Sequence, residues 1–371
     1  MTAAAVAESA PPSEHTLHAL PEVKLYTEAV AARWDEYVKR AAGGTFCHLS
    51  SWQPVIESTW QHHNHSLYAE RAGQIVGVLP LFYVSSRLFG SMLLSTPNAV
   101  YGGVVADDAA ARQALLTQAR QLAEEWQVDF LELRNTPELH ATAERDTYLR
   151  FHQQDQLYVT FDHPLTADED TLLKSFPRDV RRMIRQGPKH GLTAELRRQE
   201  ALDDFYEVYA YSLRRLGTPV FPKQLFAEFL RVFPADADIL VIRQGSKFAG
   251  AVLSFYFNET VMPYYAGVYP EFYHTGINNF MYAELMRQSA ARGYTRFDFG
   301  RSKRGTGAYE FKRGWQMQER ALPYQFYLVN AQRLPQLNPT NPKFKWLIET
   351  WKRLPLTLTK LIGPPVVKYL P

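Results

Sequence analysis

The sequence predicts a mixed α/β protein built from two copies of one module, and three observations carry that reading. The order hairpin, strand, long helix, strand occurs twice along the chain of 371 residues. Gly77–Tyr83 (GVLPLFY) and Gly250–Tyr256 (GAVLSFY) align without a gap. Leu131–Leu133 (LEL) and Phe297–Phe299 (FDF) each follow the long helix of their copy. The two pairs lie 173 and 166 residues apart, so one small deletion reconciles them. Apolar strands look alike anywhere, because β-branched and aromatic residues dominate them all. The repeated order of elements is what favours duplication.

Residues 1–24, Ala/Ser/Pro-rich over Met1–Pro12, form a start expected to be flexible, and the first module is expected over 25–163. Glu28–Ala41 carries apolar residues at helical spacing, and Trp52–Trp60 reads as a second short helix. Leu67–Glu70 and Ile75–Val84 flank the turn Arg71–Gln74 and read as a hairpin. Strands at Met92–Leu94 and Val100–Val105, a helix over Ala109–Trp126 and a strand at Phe130–Leu133 follow.

The second module is expected over 164–330. Helices at Asp168–Ser175 and Pro177–Gln186 open it; Pro177 suits a first helical position and Gly187-Pro188 ends the pattern. Helices at Leu202–Leu216 and Lys223–Phe233 come next. The repeat then runs through Ile239–Arg243, Ala249–Phe257, Thr260–Val268, a helix at Asn278–Arg292 and a strand at Arg296–Phe299. Residues 331–371 form a basic, Pro-rich tail.

Composition narrows the function. Hydrophobic residues at 46% and charged residues at 21% suit a soluble globular chain of two domains. With 41 basic and 38 acidic residues the net charge is +3, too balanced for a protein coated in positive charge for nucleic acid. Any basic site must be local. The single cysteine, Cys47, excludes an internal disulfide framework and a multi-thiolate metal site, and reads as a small buried residue. His62, His63 and His65 lack supporting ligands and read as polar surface, so no metal is expected. The first residues lack a basic n-region and a signal-type apolar core, and no stretch reaches about 18 apolar residues. A cytoplasmic protein is expected.

The densest chemical signal is Phe297–Trp315 (FDFGRSKRGTGAYEFKRGW). An apolar strand bearing one acid runs into a loop with Gly300, Gly305 and Gly307, and with cations at Arg301, Lys303, Arg304, Lys312 and Arg313. Glycines let a ligand approach the backbone, and cations supply charge for phosphates. The stretch reads as an anion-binding loop; a solvated basic hairpin is the alternative. It has neither the Gly-Lys-Ser/Thr ending of a Walker loop nor a dinucleotide fingerprint.

The same stretch closely resembles the C-terminal signature of Fem-like proteins associated with exosortase/PEP-CTERM systems, which carry the same Phe-Asp-Phe-Gly-Arg-Ser-Lys core. Pro177–Leu192, with its arginine-rich helix and Lys-His-Gly turn, is similar to the central segment of that group. The resemblance spans Leu25 to Tyr327. It implies tandem GNAT-like domains, each a central mixed sheet flanked by helices, and transfer of an acyl or aminoacyl group. In Fem enzymes the donor is an aminoacyl-tRNA and the acceptor an amine on a lipid- or nucleotide-linked muropeptide. The exosortase-associated branch points to exopolysaccharide or cell-envelope chemistry. The chain shows no long helical insertion of the coiled-coil arm type found in some Fem enzymes.

A GNAT-like site must deprotonate the acceptor amine and stabilise an oxyanion as the acyl carbon is attacked. Asp298 is the expected base, because it stands between two phenylalanines, where desolvation raises a carboxyl pKa. Pairing with Arg301 or Lys303 would lower it instead. Lys312 is expected to stabilise negative charge and Tyr309 to relay a proton, with Arg301, Lys303, Gly305 and Gly307 contacting substrate. Arg178, Arg181, Arg182 and Arg185 stand at i, i+3, i+4 and i+7 on one helical face. Such a stripe repels itself unless an anion or carboxylates compensate, and the polyphosphate of a nucleotide- or tRNA-linked substrate is a natural counter-ion. A face paired with Asp179 or Glu195 is the alternative. His274, at the start of the second long helix, is placed to meet an anionic substrate.

From Lys343 to Pro371 there are six cations and one acid, so this segment carries +5 and the rest of the chain −2. It suits an anionic membrane surface at the inner face of the membrane. A helix packed on the body is the alternative, confined to the early part of the tail by Pro355, Pro364 and Pro365. Three functions follow. The first is an acyl- or aminoacyltransferase acting on a phosphorylated or lipid-linked envelope precursor, with aminoacyl-tRNA as donor and no tightly bound cofactor. The second keeps the fold but draws on acyl-CoA, although Tyr269–Gly276 holds one glycine where a CoA pyrophosphate loop is rich in glycine and arginine. The third is a non-catalytic, membrane-peripheral adaptor in polysaccharide assembly.

Overall fold

The computed structural model describes residues 20–86, 90–139, 152–154, 157–333 and 342–369. Residues 1–19 of the expected flexible start lie outside that set, but Glu22–Leu25 is already strand β1, so regular structure begins before residue 25. Helices α1 (Ala31–Arg40) and α2 (Trp52–Trp60) follow, then β2 (His63–Asn64), β3 (Leu67–Arg71), β4 (Gln74–Leu79), β5 (Phe82–Ser86), β6 (Gly90–Leu94) and β7 (Val105–Ala106). The long helix α3 (Ala109–Glu125) is capped by the Asp108 carboxylate, which accepts from the Ala111 N–H. It leads into β8 (Phe130–Arg134), β9 (His152–Gln154) and β10 (Tyr158–Pro164).

The second copy opens with α4 (Glu169–Lys174), α5 (Arg178–Ile184) and α6 (Gln186–Lys189), then β11 (Leu192–Arg197), α7 (Leu202–Leu216) and α8 (Lys223–Val232). Strands β12 (Ala237–Gln244), β13 (Lys247–Phe257) and β14 (Thr260–Val268) form a meander, followed by the long helix α9 (Ile277–Ala291) and β15 (Arg296–Asp298). The short β16 (Ser302–Lys303), α10 (Gly307–Arg313), β17 (Gln318–Ala321), β18 (Tyr324–Leu328), α11 (Pro342–Arg353) and α12 (Leu356–Val367) complete the chain.

Four expectations need correction. Ile75–Val84 is two strands in different sheets, parted at Pro80, which has no N–H for a ladder. Of the expected strand Val100–Val105 only Val105 is strand, joined with Ala106 in β7 as a two-residue element. Gly187-Pro188 continues into α6 instead of ending the helical run. Pro364 and Pro365 sit in the last turn of α12, so the prolines do not confine the tail helix to its early part.

The duplication is visible in the sheets. In the second copy the order is β11-β12-β13-β14-β15-β10-β16, with β17 also paired to β10. The first copy forms two sheets, β1-β3-β4-β7 and β2-β5-β6-β8-β18-β9; apart from the short β7 and β2 at the break near Pro80, their strands follow the same order. Each copy has one parallel pair joined by its long helix, β6 with β8 and β14 with β15. The strand beyond that pair is exchanged: β10 lies beside β15, and β18 lies beside β8. A division at 163/164 therefore does not follow the sheets. The halves also share a core, in which Phe46 stacks on Phe255 at 4.5 Å and Trp52 meets Phe229 at 4.8 Å. Such aromatic pairs add about 0.5–1.5 kcal/mol each beyond their buried area, which fixes the seam between the halves.

Candidate active site

β15 turns Phe297 into the second core and Asp298 to the opposite face, as strand alternation requires. Its parallel pairing with β14 stops at Val261 and Phe297, so Asp298 stands where the two strands part. The carboxylate is 4% exposed. Oδ1 accepts from the Gly300 N–H at 2.8 Å and from the Thr160 hydroxyl, and Oδ2 accepts from the Tyr101 hydroxyl at 2.5 Å. Gly300 has φ +70, a conformation glycine adopts freely, and this turns its N–H back onto the acid. Among the described residues no cation pairs with Asp298. Burial, then the charge of Asp162, raises its carboxyl to about 6, against the opposing pull of the three hydrogen bonds. Asp162 itself is held by Arg296 at 2.6 Å and Arg320 at 2.9 Å, both of which also reach Glu138.

A cavity of about 140 Å³ opens over Asp298 between the halves. Thr45, Tyr101 and Glu138 face it from the first half, and Phe255, Met262 and Arg296 from the second. Buried His48 holds the first wall: Nδ1 accepts from the Thr45 N–H at 3.2 Å, and Nε2 lies 3.0 Å from the Gly103 carbonyl. Burial lowers the His48 pKa to about 4, so the ring is neutral at physiological pH. A carboxylate with this proton affinity, open to a cleft, can take a proton from an amine near neutral pH. Cys47 beside it is fully buried and its thiol is pushed up to about 12 by burial, so it offers no thiolate.

The other candidate residues fall elsewhere. The cleft is not lined by Arg301, Lys303, Tyr309 or Lys312. The Lys312 ammonium donates to the carbonyls of Phe299, Gly300 and Arg301 at 2.6, 3.0 and 3.4 Å, so its three donors clamp the turn behind Asp298. Burial lowers its pKa to about 8, while the charge of Asp298 pulls the other way. Tyr309 donates to Glu319 at 2.9 Å and is not within the Asp298 hydrogen-bond set. Arg304 pairs with Glu319 and Arg313 with Glu310, and Arg301 lies over the rings of Tyr158 at 4.9 Å and Tyr324 at 6.0 Å. These contacts fold the loop back on the protein, which the bare charge count could not reveal. Gly305, with φ +75, forms its turn, and Gly307 opens α10; space is open beside both.

The arginine stripe on α5 is outside the cleft. Arg182 pairs with Asp179 at 3.6 Å and Arg181 donates to the Lys174 carbonyl at 3.2 Å, while Arg178 and Arg185 are exposed. His274 is exposed and meets His190 edge-on at 5.3 Å, beside the α9 N-terminus. His62 departs from its surface assignment: it is 4% exposed and bonds the Lys368 carbonyl at 2.9 Å. Among the described residues no group of His, Cys, Asp and Glu is arranged to hold a metal ion. Tyr101, Thr160 and Glu138 were not singled out from sequence.

Two copies of a mixed sheet, each with a parallel pair spanned by a long helix, define a tandem GNAT fold, and residues 174–313 match the family described as acetyltransferase (GNAT) domain. Among solved structures, the crystal structure of FemX is similar, with a TM-score of 0.68 and 17% identity over 83% of this chain and 98% of that one. L-PGS from Bacillus licheniformis is similar at a TM-score of 0.52 and 12% identity, over 90% of this chain and 96% of that one. A tandem GNAT protein from the clavulanic acid biosynthesis pathway reaches a TM-score of 0.50 and 12% identity, over 84% of this chain and 100% of that one. At these identities the likeness establishes the fold. No curated protein matches the chain.

Proposed function

We propose that the chain is an acyl- or aminoacyltransferase whose general base is Asp298, acting on an amine brought into the cleft between the halves. The observation that carries this reading is a buried carboxylate, bonded only by neutral donors, facing a cavity at the point where β14 and β15 part. The acceptor nitrogen attacks the acyl carbon and passes its proton to Oδ2, which has a lone pair beyond the one bonded by Tyr101. The bond to the donor's ester oxygen or thioester sulfur breaks as the tetrahedral intermediate collapses, and the leaving oxygen or sulfur takes up the proton held by Asp298, which restores the carboxylate. Lys312 holds the turn that aims Asp298, and Arg178 and Arg185 form an outlying cationic surface for a phosphorylated substrate, with His274 as a further polar contact. The Fem-like signature at Phe297–Trp315 and the similarity to FemX favour an aminoacyl-tRNA donor and a lipid- or nucleotide-linked envelope precursor, of peptidoglycan or exopolysaccharide type, as acceptor. The exosortase-associated setting rests on that signature. A second reading, acyl-CoA as donor, is favoured by the match of residues 174–313 to the acetyltransferase domain.

The test is to incubate the purified chain with aminoacyl-tRNA and, separately, acyl-CoA, each with lipid-linked and nucleotide-linked precursors, and to read the acceptor by mass spectrometry. Mass gain with one donor, lost in Asp298→Asn, supports the proposal and chooses the donor. Absence of transfer from either donor would return the chain to the adaptor reading.

A further inference from the structure

The tail presents an apolar surface that the catalytic reading does not use. Nine large apolar side chains are exposed among the described residues, and six of them gather here: Leu216, Trp346, Leu347, Leu358, Leu361 and Val366. On α12 the inward face is Thr359, Gly363 and Val367. Gly363 packs so closely that a Cβ would stand 2.9 Å from the Val220 backbone. α11 docks through Ile348 against Gly217, and the Leu354 carbonyl accepts from Arg214 at 3.0 Å. Both helices are thus fixed on the body near α7. The outward face of α12 then carries Leu358 and Leu361, and the one charged residue of that helix, Lys360, turns aside to pair with Glu207. Surface helices ordinarily show water a polar face, so this one is built to be covered.

We infer that this surface docks on an anionic lipid bilayer. Charge decides the occupant. The segment from Lys343 onward has six cations and one acid, and that acid, Glu349, is paired with Lys352 at 2.7 Å. Exposed Arg353 ends α11 and Lys368 follows α12. A two-fold contact with a second copy would set the segment's excess of cations against its own duplicate, even with Lys360 paired to Glu207, whereas anionic headgroups neutralise it. Trp346 is the most exposed aromatic of the patch at 71%, and indole rings favour the headgroup boundary. The helices lie in the interface and do not cross it: among the described residues no helix is long and apolar enough to span a membrane. This inference does not rest on the transferase reading.

The experiment is co-sedimentation of the full chain with vesicles of phosphatidylcholine alone or containing about 30% phosphatidylglycerol. The wild type is expected to partition onto the anionic vesicles and to be released by high salt. Trp346→Glu with Leu361→Glu should lower that partition about tenfold or more, with an unchanged melting temperature because the two side chains are 71% and 72% exposed. Wild-type protein that ignores anionic vesicles, or a double variant that binds them as well as wild type, overturns the inference. A dimer seen by light scattering in the wild type and lost in the double variant also overturns it, by assigning the face to a second copy.

Discussion

Strands β8 and β15 occupy equivalent places in the two halves, and each carries one acid at the same step: Glu132 and Asp298. The surroundings differ. Glu132 forms a buried ion pair with Arg134 at 2.9 Å, both side chains nearly inaccessible. Arg134 is fixed in turn by the Ala99 carbonyl at 2.8 Å. Two residues past Asp298 stands Gly300, whose N–H replaces the guanidinium with a neutral donor. The same strand position is thus locked as a structural ion pair in one copy and left with a proton affinity near neutrality in the other. A duplicated scaffold can hold chemistry in one half because a single change, two residues along the strand, decides whether the acid has a cation.

The largest test of this contrast is Asp298→Asn, expected to lower turnover by about 10²- to 10⁴-fold with little change in substrate binding. Steady-state kinetics with the donor identified by transfer assays measures it. Wild-type turnover in this variant would leave catalysis to positioning and electrostatics. Glu132→Gln should behave in the opposite way. Removing one partner of a buried pair strands the other charge, so stability should fall by about 3 kcal/mol or more, while turnover per folded molecule is kept. Chemical denaturation alongside active-site titration reads both; a loss of turnover at unchanged stability would erase the distinction between the halves.

The pH dependence of stability sharpens it further. Asp298 has a folded pKa near 6, above its ordinary 3.8, so its protonated form favours folding. That contribution is present below about pH 4 and is lost as pH rises through 6. Asparagine does not titrate. The melting temperature of Asp298→Asn relative to wild type should therefore climb between pH 4.5 and pH 8, by the equivalent of about 2 kcal/mol. A gap that stays constant over this range would mean that Asp298 is not held near neutrality.

How much of this was legible in the sequence follows from the range of the forces involved. Trp52–Trp60, Leu202–Leu216 and Thr260–Val268 fold as read, because periodicity and turn residues are local. The burial of Asp298 was legible too, in the phenylalanines that flank it. The strand exchange was not: β10 meets β15 across more than a hundred intervening residues, and one apolar strand advertises no partner. Tyr101 was hidden for a related reason. It lies in an irregular stretch that reads as strand, and only the shared core carries it across to Asp298. Lys312 and Tyr309 belong to the right motif, yet their partners, three carbonyls and Glu319, are set by the turn at Gly300 and by β17.

The smallest expected effect isolates what the first half contributes to the site in the second. Tyr101 donates to Oδ2 of Asp298, and a bond to the charged form lowers a carboxyl pKa. Burial, then the charge of Asp298, keeps the phenol protonated well above its ordinary range, so it remains a donor throughout the working pH range. Tyr101→Phe deletes that bond and keeps the ring in the wall. The base should then be harder to ionise, and the acidic limb of the kcat/KM profile should move up by about one pH unit, the size of one charge-assisted hydrogen bond. Above the limb, turnover should return close to wild type, since the carboxylate itself is intact. A merely structural tyrosine would lower stability and leave the limb in place. A uniform loss at every pH would instead make Tyr101 a participant in proton transfer, and the site would then draw one chemical group from each half.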